Sequence, residues 1–441
     1  MPTLHSDPAR GSWGLRLKLY GLVARALTGL ALAKLLRRAA PSLFMPRPEW
    51  EPLPGPHPVG VRDVDLLDTH RPEPERPGER RRIMARVWYP AAPHSQPRRR
   101  FHSAEEAAWF ATNGPRAVRD LEALSDIETW SAQDAPALPG PARFPLLLFS
   151  HGLGGSVSQN THLCERLASC GYVVVSITHP FGGASLRYAS GDEALVTPQL
   201  LKRRFDLAQL APIVTQVRLA RTAQAAARAA SGLLTVAGLK PELRIWVDDT
   251  SAVLDLLQAG ETSPAITDVL RLVDFSRVGA LGMSFGGATS AAVAQRDERI
   301  GAAVNLDGNQ FGDELWDTTI RVPLLELRSD EAMIESGGSF NNFHYERFAE
   351  SGTSGRVWRY HVRGSTHAGF TDMVLLGSPL QHRLMNLGRI PGTRMTALMF
   401  DLTRRFFDRH LKDDAAAWES EPSARWTELQ KIDTQELRRL S

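Results

Sequence analysis

The pentapeptide Gly282-Met283-Ser284-Phe285-Gly286 has the GxSxG pattern of a serine held on a sharp turn between a strand and a helix. An apolar run, RVGALG, leads into it, and a run of small residues, GGATSAAVAQ, leaves it. So tight a turn crowds the backbone, which is why glycine stands on both sides, and it presents the hydroxyl above a sheet. We therefore predict that Ser284 is a nucleophile rather than an ordinary serine of a glycine-rich turn.

A serine hydroxyl attacks efficiently only when a base accepts its proton, and the usual base is a histidine oriented by an acid. His367 follows the last strand-like segment, VWRYHV, in the loop RGSTHAGF. Of the competing histidines, His361 lies inside that segment, and His344, His382 and His410 lie in or beside helical patterns. The sequence favours His367 as the base.

Two aspartates are candidates for the acid, because each follows a strand-like segment between the serine and the histidine. Asp307 comes directly after GAAVNL, and Asp330 comes after VPLLEL with two residues between. The residues alone leave this choice open.

Acyl transfer also needs amide donors for the negative charge that develops on the substrate oxygen. The residue after the nucleophile, Phe285, supplies one such amide. The turn SHGLGG at 150–155 supplies a second, for which Leu153 is the candidate, because its glycines let the backbone face a ligand. This turn is not a phosphate-binding loop, since it lacks the Lys-Ser/Thr pair that would follow.

Short apolar runs separated by helical patterns predict a mostly parallel sheet with helices on both faces. Eight segments have strand character: 59–67, 83–89, 145–150, 172–177, 278–283, 301–306, 322–327 and 357–362. Two inserts interrupt them, at about 101–135, helical over 104–130, and at about 196–260. The second insert is long enough to form a helical cap over the carboxyl ends of the strands, where sites of open α/β sheets lie.

Charge and cysteine content exclude several classes of protein. The first fifty residues hold eight Lys/Arg and two Asp/Glu, so the remaining 391 hold 44 against 47 and are slightly acidic. Nucleic acid is therefore not an expected partner, because a binder would carry a basic stripe on its folded body. Cys164 and Cys170 lie six apart in one helical segment, too far for a disulfide. We predict two buried thiols, no metal site and no cofactor.

Residues 1–50 form a basic arm of helical pattern. The segment at 13–38 is rich in Leu and Ala, but Arg16, Lys18, Arg25 and Lys34 interrupt it, so it is too short in apolar length to span a bilayer. It has the composition of a helix that packs on the body or makes peripheral contact with a membrane. A cytoplasmic or membrane-associated location is favoured over secretion, because Arg25 breaks the apolar core of a signal peptide.

Several motifs in order resemble those of one known family. FSHGLGG, GMSFGG, NLDG and RGSTHAGFTD, with an early VGVRDVDL and a strand ending in WYP, are similar to the platelet-activating factor acetylhydrolase group of the plasma, isoform II type. The resemblance covers about 55–410 and implies an α/β-hydrolase fold related to the dienelactone hydrolases. It implies Asp307 as the acid, with Asp330 at the position that dienelactone hydrolases use, and it supports Leu153 as the second oxyanion donor.

Together these features predict one α/β-hydrolase domain at 51–415, with an eight-stranded, mostly parallel sheet, and a C-terminal tail at 416–441. The expected activity is serine-dependent hydrolysis of small-molecule or lipid esters with a short or modified acyl group, including phospholipids of the platelet-activating-factor type. A polyester or general carboxylesterase and a dienelactone-hydrolase-like enzyme are alternatives. An inactive binding module is less favoured, because the sequence contains a candidate for every triad member. Oligomeric state is not predicted.

Overall fold

The computed structural model covers the body of the chain from Trp50 onward. It describes residues 50–113, 127–188, 190–197, 199–200, 203, 207–220, 222–236, 238–316, 318–331, 341, 344–345, 354–375, 382 and 386–432. The predicted arm up to residue 49, including the segment at 13–38, lies outside the described residues. Within them, no helix has the length and apolar character required to cross a bilayer.

Among the described residues, eleven strands form one sheet, and two short ones pair as a separate hairpin. The strands are β1 (Val59–Pro72), β2 (Arg80–Pro90), β3 (Arg98–Arg100), β4 (Glu128–Gln133), β5 (Phe144–Ser150), β6 (Val173–Ile177), β7 (Leu186–Arg187), β8 (Glu193–Ala194), β9 (Val273–Met283), β10 (Ile300–Leu306), β11 (Leu324–Glu331), β12 (Val357–Thr366) and β13 (Leu429–Lys431). In the large sheet their order is β13-β12-β11-β10-β9-β5-β6-β2-β1-β4-β3, and β7 pairs with β8.

The centre of the sheet is parallel, and most of the edge pairings are antiparallel. Strands β6, β5, β9, β10, β11 and β12 are all parallel neighbours. The register pairs Ser150 with Gly282 and Leu306 with Leu327, so the carboxyl ends of β5, β9, β10 and β11 lie at one edge. This edge collects every residue that the sequence singles out for chemistry.

Helices cover both faces of the sheet. They are α1 (Ala104–Asn113), α2 (Thr161–Ser169), α3 (Leu207–Leu219), α4 (Ala223–Ala230), α5 (Leu239–Ala259), α6 (Thr267–Leu270), α7 (Phe285–Arg296) and α8 (Gly392–Leu411). Strand β5 shows why a continuous apolar run is needed. Leu146 and Leu148 join the buried cluster formed with α5 and α7, whereas Leu147 and Phe149 join the cluster formed with α2 and α8. Successive side chains of a strand point to opposite faces, so both must be apolar here.

In the described residues, the large sheet has three strands more than the eight that the sequence predicts. Residues 104–130 were expected to be helical, but the helix spans only Ala104–Asn113, and Glu128–Gln133 is strand β4, between β1 and β3. Residues 114–126 lie outside the described part. The predicted C-terminal tail supplies β13, which pairs antiparallel with β12. These strands have three to six residues, and such segments carry too little alternation to be recognised from sequence.

The insert at 196–260 is helical in its described residues. Ile213 and Val217 of α3 pack against the same apolar cluster as α5 and α7. Helix α5 covers the sheet directly, since Leu243, Trp246 and Val247 are fully buried in that cluster. A cap formed by α3 and α4 over the strand ends stays a prediction.

Candidate active site

Ser284 lies between β9 and α7 with φ 56° and ψ −123°. This left-handed conformation is strained for a residue with a side chain, and it persists only where the surroundings hold it. The Ser284 amide donates to the Leu306 carbonyl at 2.8 Å, which ties the turn to the end of β10. A Cβ atom on Gly286 would collide with the Ser150 carbonyl, and one on Gly282 would collide with the Gly286 carbonyl. The two glycines of the pentapeptide are therefore required by backbone approach.

His367 follows β12 directly and begins a short 3₁₀ turn, His367–Phe370. Its Nε2 atom lies 2.9 Å from the Ser284 hydroxyl oxygen, and its Nδ1 atom lies 2.7 Å from an oxygen of Asp307. The ring is 26% exposed, whereas the Asp307 side chain is 3% exposed. The imidazole is therefore accessible from solvent and the carboxylate is enclosed.

Asp307 is held by the strand next to its own. One carboxylate oxygen accepts from the Ser329 amide at 2.8 Å, and the other accepts from the Ser329 hydroxyl at 2.7 Å as well as from His367. Burial raises the pKa of Asp307, but the hydrogen bond and charge of His367, with Arg328 and the Ser329 amide, outweigh it. The net pKa lies below the usual range, so the site favours the carboxylate.

Asp330 occupies a different position from the one that a triad acid needs. It lies inside β11, which runs on to Glu331, and not in a loop after the strand. It is exposed, and its carboxylate accepts a hydrogen bond from the Gly364 amide of β12. The structure therefore brings Ser284, His367 and Asp307 together and leaves Asp330 at the surface of the sheet edge.

A buried amide cluster holds the turn after Asp307, whose own φ is 56°. Asn305 accepts from the Gly308 amide at 2.7 Å and donates to the Gly308 carbonyl at 2.9 Å. Asn341 donates to the same carbonyl at 2.7 Å, and the Tyr345 hydroxyl accepts from Asn305 at 3.0 Å. Sequence reasoning missed this cluster. The NLDG motif contains its first member, but nothing near the motif indicates that residues 341 and 345 complete it.

The turn after β5 passes close to Ser284. A Cβ atom on Gly152 would lie 3.1 Å from the Ser284 Cβ. The Gly152 carbonyl accepts from the Gly155 amide at 2.8 Å and contacts His151 Nδ1 at 2.8 Å. In a trans peptide the carbonyl and the next amide point in opposite directions, so the Leu153 amide faces away from these donors. On the other side of Ser284, the Phe285 amide is at the N-terminus of α7, where amides have no partner within the helix.

His151 is a neutral ring in this arrangement. Burial and, to a smaller extent, the neighbouring His179 together lower the pKa of His151 to about 3. The neutral imidazole must carry its proton on Nδ1 to donate to the Gly152 carbonyl. The ring packs edge-on against Trp246 at 5.1 Å and His179 at 5.5 Å between centroids.

A second Ser-His-Asp arrangement lies beneath this turn, and sequence reasoning missed it. His179 Nε2 is 3.1 Å from the Ser150 hydroxyl, and Nδ1 is 3.1 Å from Asp249. All three residues are at most 1% exposed, and Arg81 binds the Asp249 carboxylate at 3.0 and 2.7 Å. Burial of all three side chains and the ion pair with Arg81 indicate that this group is structural.

Both cysteines are free thiols; Cys164 is buried as predicted, whereas Cys170 is only half-buried because it ends the helix. Burial raises the pKa of Cys164 well above its usual range and raises that of Cys170, so neither thiol is activated. Among the described residues, no group of three or more His, Cys, Asp or Glu side chains is arranged to hold a metal ion.

The fold and the site together define a class: an α/β-hydrolase whose strand ends carry a hydrogen-bonded Ser-His-Asp chain. A solved ferulic acid esterase from Streptomyces cinnamoneus superposes with a TM-score of 0.66 and 25% identity, over 87% of this chain and 98% of that one. The family model for platelet-activating factor acetylhydrolase, isoform II, matches residues 54–429, and the chain belongs to that family. The resemblance noted in the sequence and the predicted fold class are thereby confirmed.

Two curated relatives are named platelet-activating factor acetylhydrolase. The chicken (Gallus gallus) protein is 23% identical over 302 residues, which are 66% of this chain and 68% of the relative. The bovine (Bos taurus) protein is 25% identical over 287 residues, which are 63% of this chain and 60% of the relative. Together with the esterase structure, these names identify the chain as an ester-hydrolysing enzyme.

The two aspartates give a direct test of the site. Asn cannot hold the Nδ1 proton of His367 as a carboxylate does, so Asp307→Asn is expected to lower kcat by about 10⁴-fold, as in other triads. Asp330→Asn is its matched control, because it changes an exposed carboxylate one strand away, and it should stay within about threefold of wild type. The measurement is steady-state kinetics on one soluble ester, with melting curves for both variants. A larger loss for Asp330→Asn would mean that the assignment of the acid is wrong.

Proposed function

We propose that the chain is a serine-dependent carboxylic ester hydrolase in which Ser284, His367 and Asp307 form the triad. The observation that carries this proposal is the unbroken hydrogen-bond chain from the serine hydroxyl through the imidazole to the buried carboxylate. This is the arrangement that converts a weak nucleophile into an effective one at neutral pH.

The proposed reaction has two halves, acylation and deacylation of Ser284, and His367 transfers the proton in both. The Ser284 oxygen attacks the ester carbonyl as His367 Nε2 takes the hydroxyl proton, and a tetrahedral intermediate forms. His367 then gives that proton to the leaving alcohol oxygen as the carbon–oxygen bond breaks, which leaves an acyl-serine ester. Water, deprotonated by the same nitrogen, attacks the acyl carbonyl and releases the acid and the free serine. Asp307 stabilises the imidazolium in both halves.

The negative charge of each tetrahedral intermediate is proposed to rest on the Phe285 and Leu153 amides. Backbone donors that already point at the oxygen's position stabilise the transition state without reorganisation, and loss of one such donor typically costs about 10²–10³ in kcat. Support comes from the helix N-terminus that carries Phe285 and from the orientation that the Gly152 carbonyl imposes on Leu153.

The substrate class is proposed to be esters with a short or modified acyl group, including phospholipids of the platelet-activating-factor type. The names of the chicken and bovine relatives support an acetyl group on such a lipid. A second candidate is a carboxylesterase for aromatic acyl esters, because the ferulic acid esterase matches over nearly its whole length.

A panel of esters distinguishes these candidates. We expect p-nitrophenyl acetate and a phospholipid with an sn-2 acetyl group to be cleaved with higher kcat/KM than p-nitrophenyl octanoate or methyl ferulate. Ser284→Ala should lose about 10⁶-fold in kcat on every substrate that wild type cleaves. Preference for methyl ferulate would favour the second candidate. Full activity of Ser284→Ala, or no ester turnover by wild type, would contradict the proposal.

We also propose that the segment at 13–38 brings the enzyme to lipid surfaces. It combines an apolar Leu/Ala composition with six cations, of which Arg16, Lys18, Arg25 and Lys34 interrupt the apolar run and two more end it. Each such cation near an anionic surface contributes roughly 1 kcal/mol to binding.

Charge reversal in the full chain tests this role. Replacing Arg16, Lys18, Arg25 and Lys34 by Glu should abolish co-sedimentation with vesicles that contain phosphatidylserine, while turnover of p-nitrophenyl acetate stays within about threefold. Vesicle binding equal to that of wild type would contradict a lipid role for the segment. A matching loss on the soluble ester would mean that the segment instead supports the pocket.

A further inference from the structure

The turn at 150–155, here called the oxyanion turn because it carries the Leu153 amide, contains the conformationally flexible residue Gly152. A Cβ atom on Gly152 would lie 3.1 Å from the Ser284 Cβ, which is tighter than most side-chain contacts, so a glycine relieves crowding here. Glycine, however, has the widest backbone freedom of any residue. A turn that aims an amide at a developing charge therefore has to be held by bonds from outside the glycine itself.

Both peptide groups that flank the Gly152 Cα are held. The one after it is fixed through its carbonyl by His151 and the Gly155 amide. The one before it is fixed through its amide, which donates to the side-chain oxygen Oε1 of Gln159 at 2.6 Å. These hydrogen bonds on both sides of Gly152 restrict its φ and ψ angles. The Gln159 side chain accepts the bond on the N-terminal side.

Gln159 also contacts the other two parts of the site. Its Nε2 atom lies 3.5 Å from the sulfur of Met283, the residue before the nucleophile. Its backbone carbonyl accepts from the Asp372 amide at 3.1 Å, and the adjacent Asn160 side chain donates to the Phe370 carbonyl at 2.8 Å. Phe370 and Asp372 follow His367 in the same loop, so the start of α2 ties the histidine loop to the oxyanion turn.

We propose that Gln159 is a positioning residue for ester hydrolysis, one that sets the oxyanion turn relative to Ser284 and the His367 loop. This inference rests on the proposed function and adds a residue to it. Gln159 acts through Gly152 and takes no part in proton transfer, so its effect should fall on stabilisation of the tetrahedral intermediate and not on substrate binding.

The test replaces the amide by an apolar group of similar size. Misplacement of a catalytic group by about 1 Å costs up to about 10²-fold, so Gln159→Leu should lower kcat on p-nitrophenyl acetate by about 10- to 100-fold. KM should stay within about threefold, since ground-state binding is untouched. An arylboronic acid, which forms a tetrahedral adduct with the serine, should lose affinity in parallel with kcat.

Gln295→Leu is the matched control. Gln295 is also half-buried, and it accepts from the Arg321 amide at 3.0 Å and donates to the Thr319 carbonyl at 3.0 Å, near the far end of α7. Gln295→Leu likewise removes side-chain hydrogen bonds to the backbone of another segment. It should leave kcat and boronate affinity within about twofold of wild type. A second variant, Gln159→Met, preserves the length of the side chain and should reproduce the loss seen with Leu, with melting curves confirming that both variants fold.

Three results would overturn the inference: a wild-type kcat for both Gln159 variants, a rise in KM at unchanged kcat, or a boronate affinity that does not follow kcat. Ser284→Ala is assayed alongside. If it is inactive while the Gln159 variants match wild type, only the role of Gln159 fails. If it retains activity, the proposed function itself fails.

Discussion

The carboxylate of Asp307 is the point at which three neighbouring strands are joined. It follows β10, it accepts two bonds from Ser329 in β11, and it bonds to His367 at the end of β12. Because parallel strands end at one edge, residues sixty positions apart in sequence come within hydrogen-bond distance. The orientation of the imidazole, and with it the line from Nε2 to the Ser284 hydroxyl, depends on this one buried group.

Assembly of the site at that edge brings backbone segments into close contact and holds some residues in unfavourable conformations. Ser284 and Asp307 both have φ near 56°, a conformation that costs on the order of 1–3 kcal/mol for a residue other than glycine. Gly308 is required as well, because a Cβ atom there would collide with the Ser284 carbonyl. The buried side chains of Asn305 and Asn341 hold the Gly308 peptide, and the rest of the sheet supplies the stability that offsets the strain. At Gly152 the approach to Ser284 is also close, and hydrogen bonds from other residues hold the glycine in place.

A feature of the fold or of the site could be predicted from the sequence only where the residues that determine it lie in one short segment. The strand, elbow and helix around Ser284 lie within one short stretch of sequence, and His367 follows its strand directly, so both could be identified from pattern. The choice between Asp307 and Asp330 could not, because it depends on where β11 ends. That strand continues through Asp330, and the residues themselves do not indicate it. Gln159, Asn341 and Tyr345 gave no indication either, since their roles arise from contacts between segments that the fold alone brings together. Strands β3, β4 and β13 were missed because each has only three to six residues, too few to show the alternation of a strand.

The central claim is that Ser284 is activated by His367, and an active-site-directed fluorophosphonate tests it most directly. Such a reagent phosphonylates an activated serine and spares ordinary ones. The account predicts one equivalent of label per chain, located on Ser284 by peptide mass spectrometry, with labelling slowed by at least about 10³-fold in His367→Ala. Label on a different serine, or equal labelling rates for wild type and His367→Ala, would contradict it.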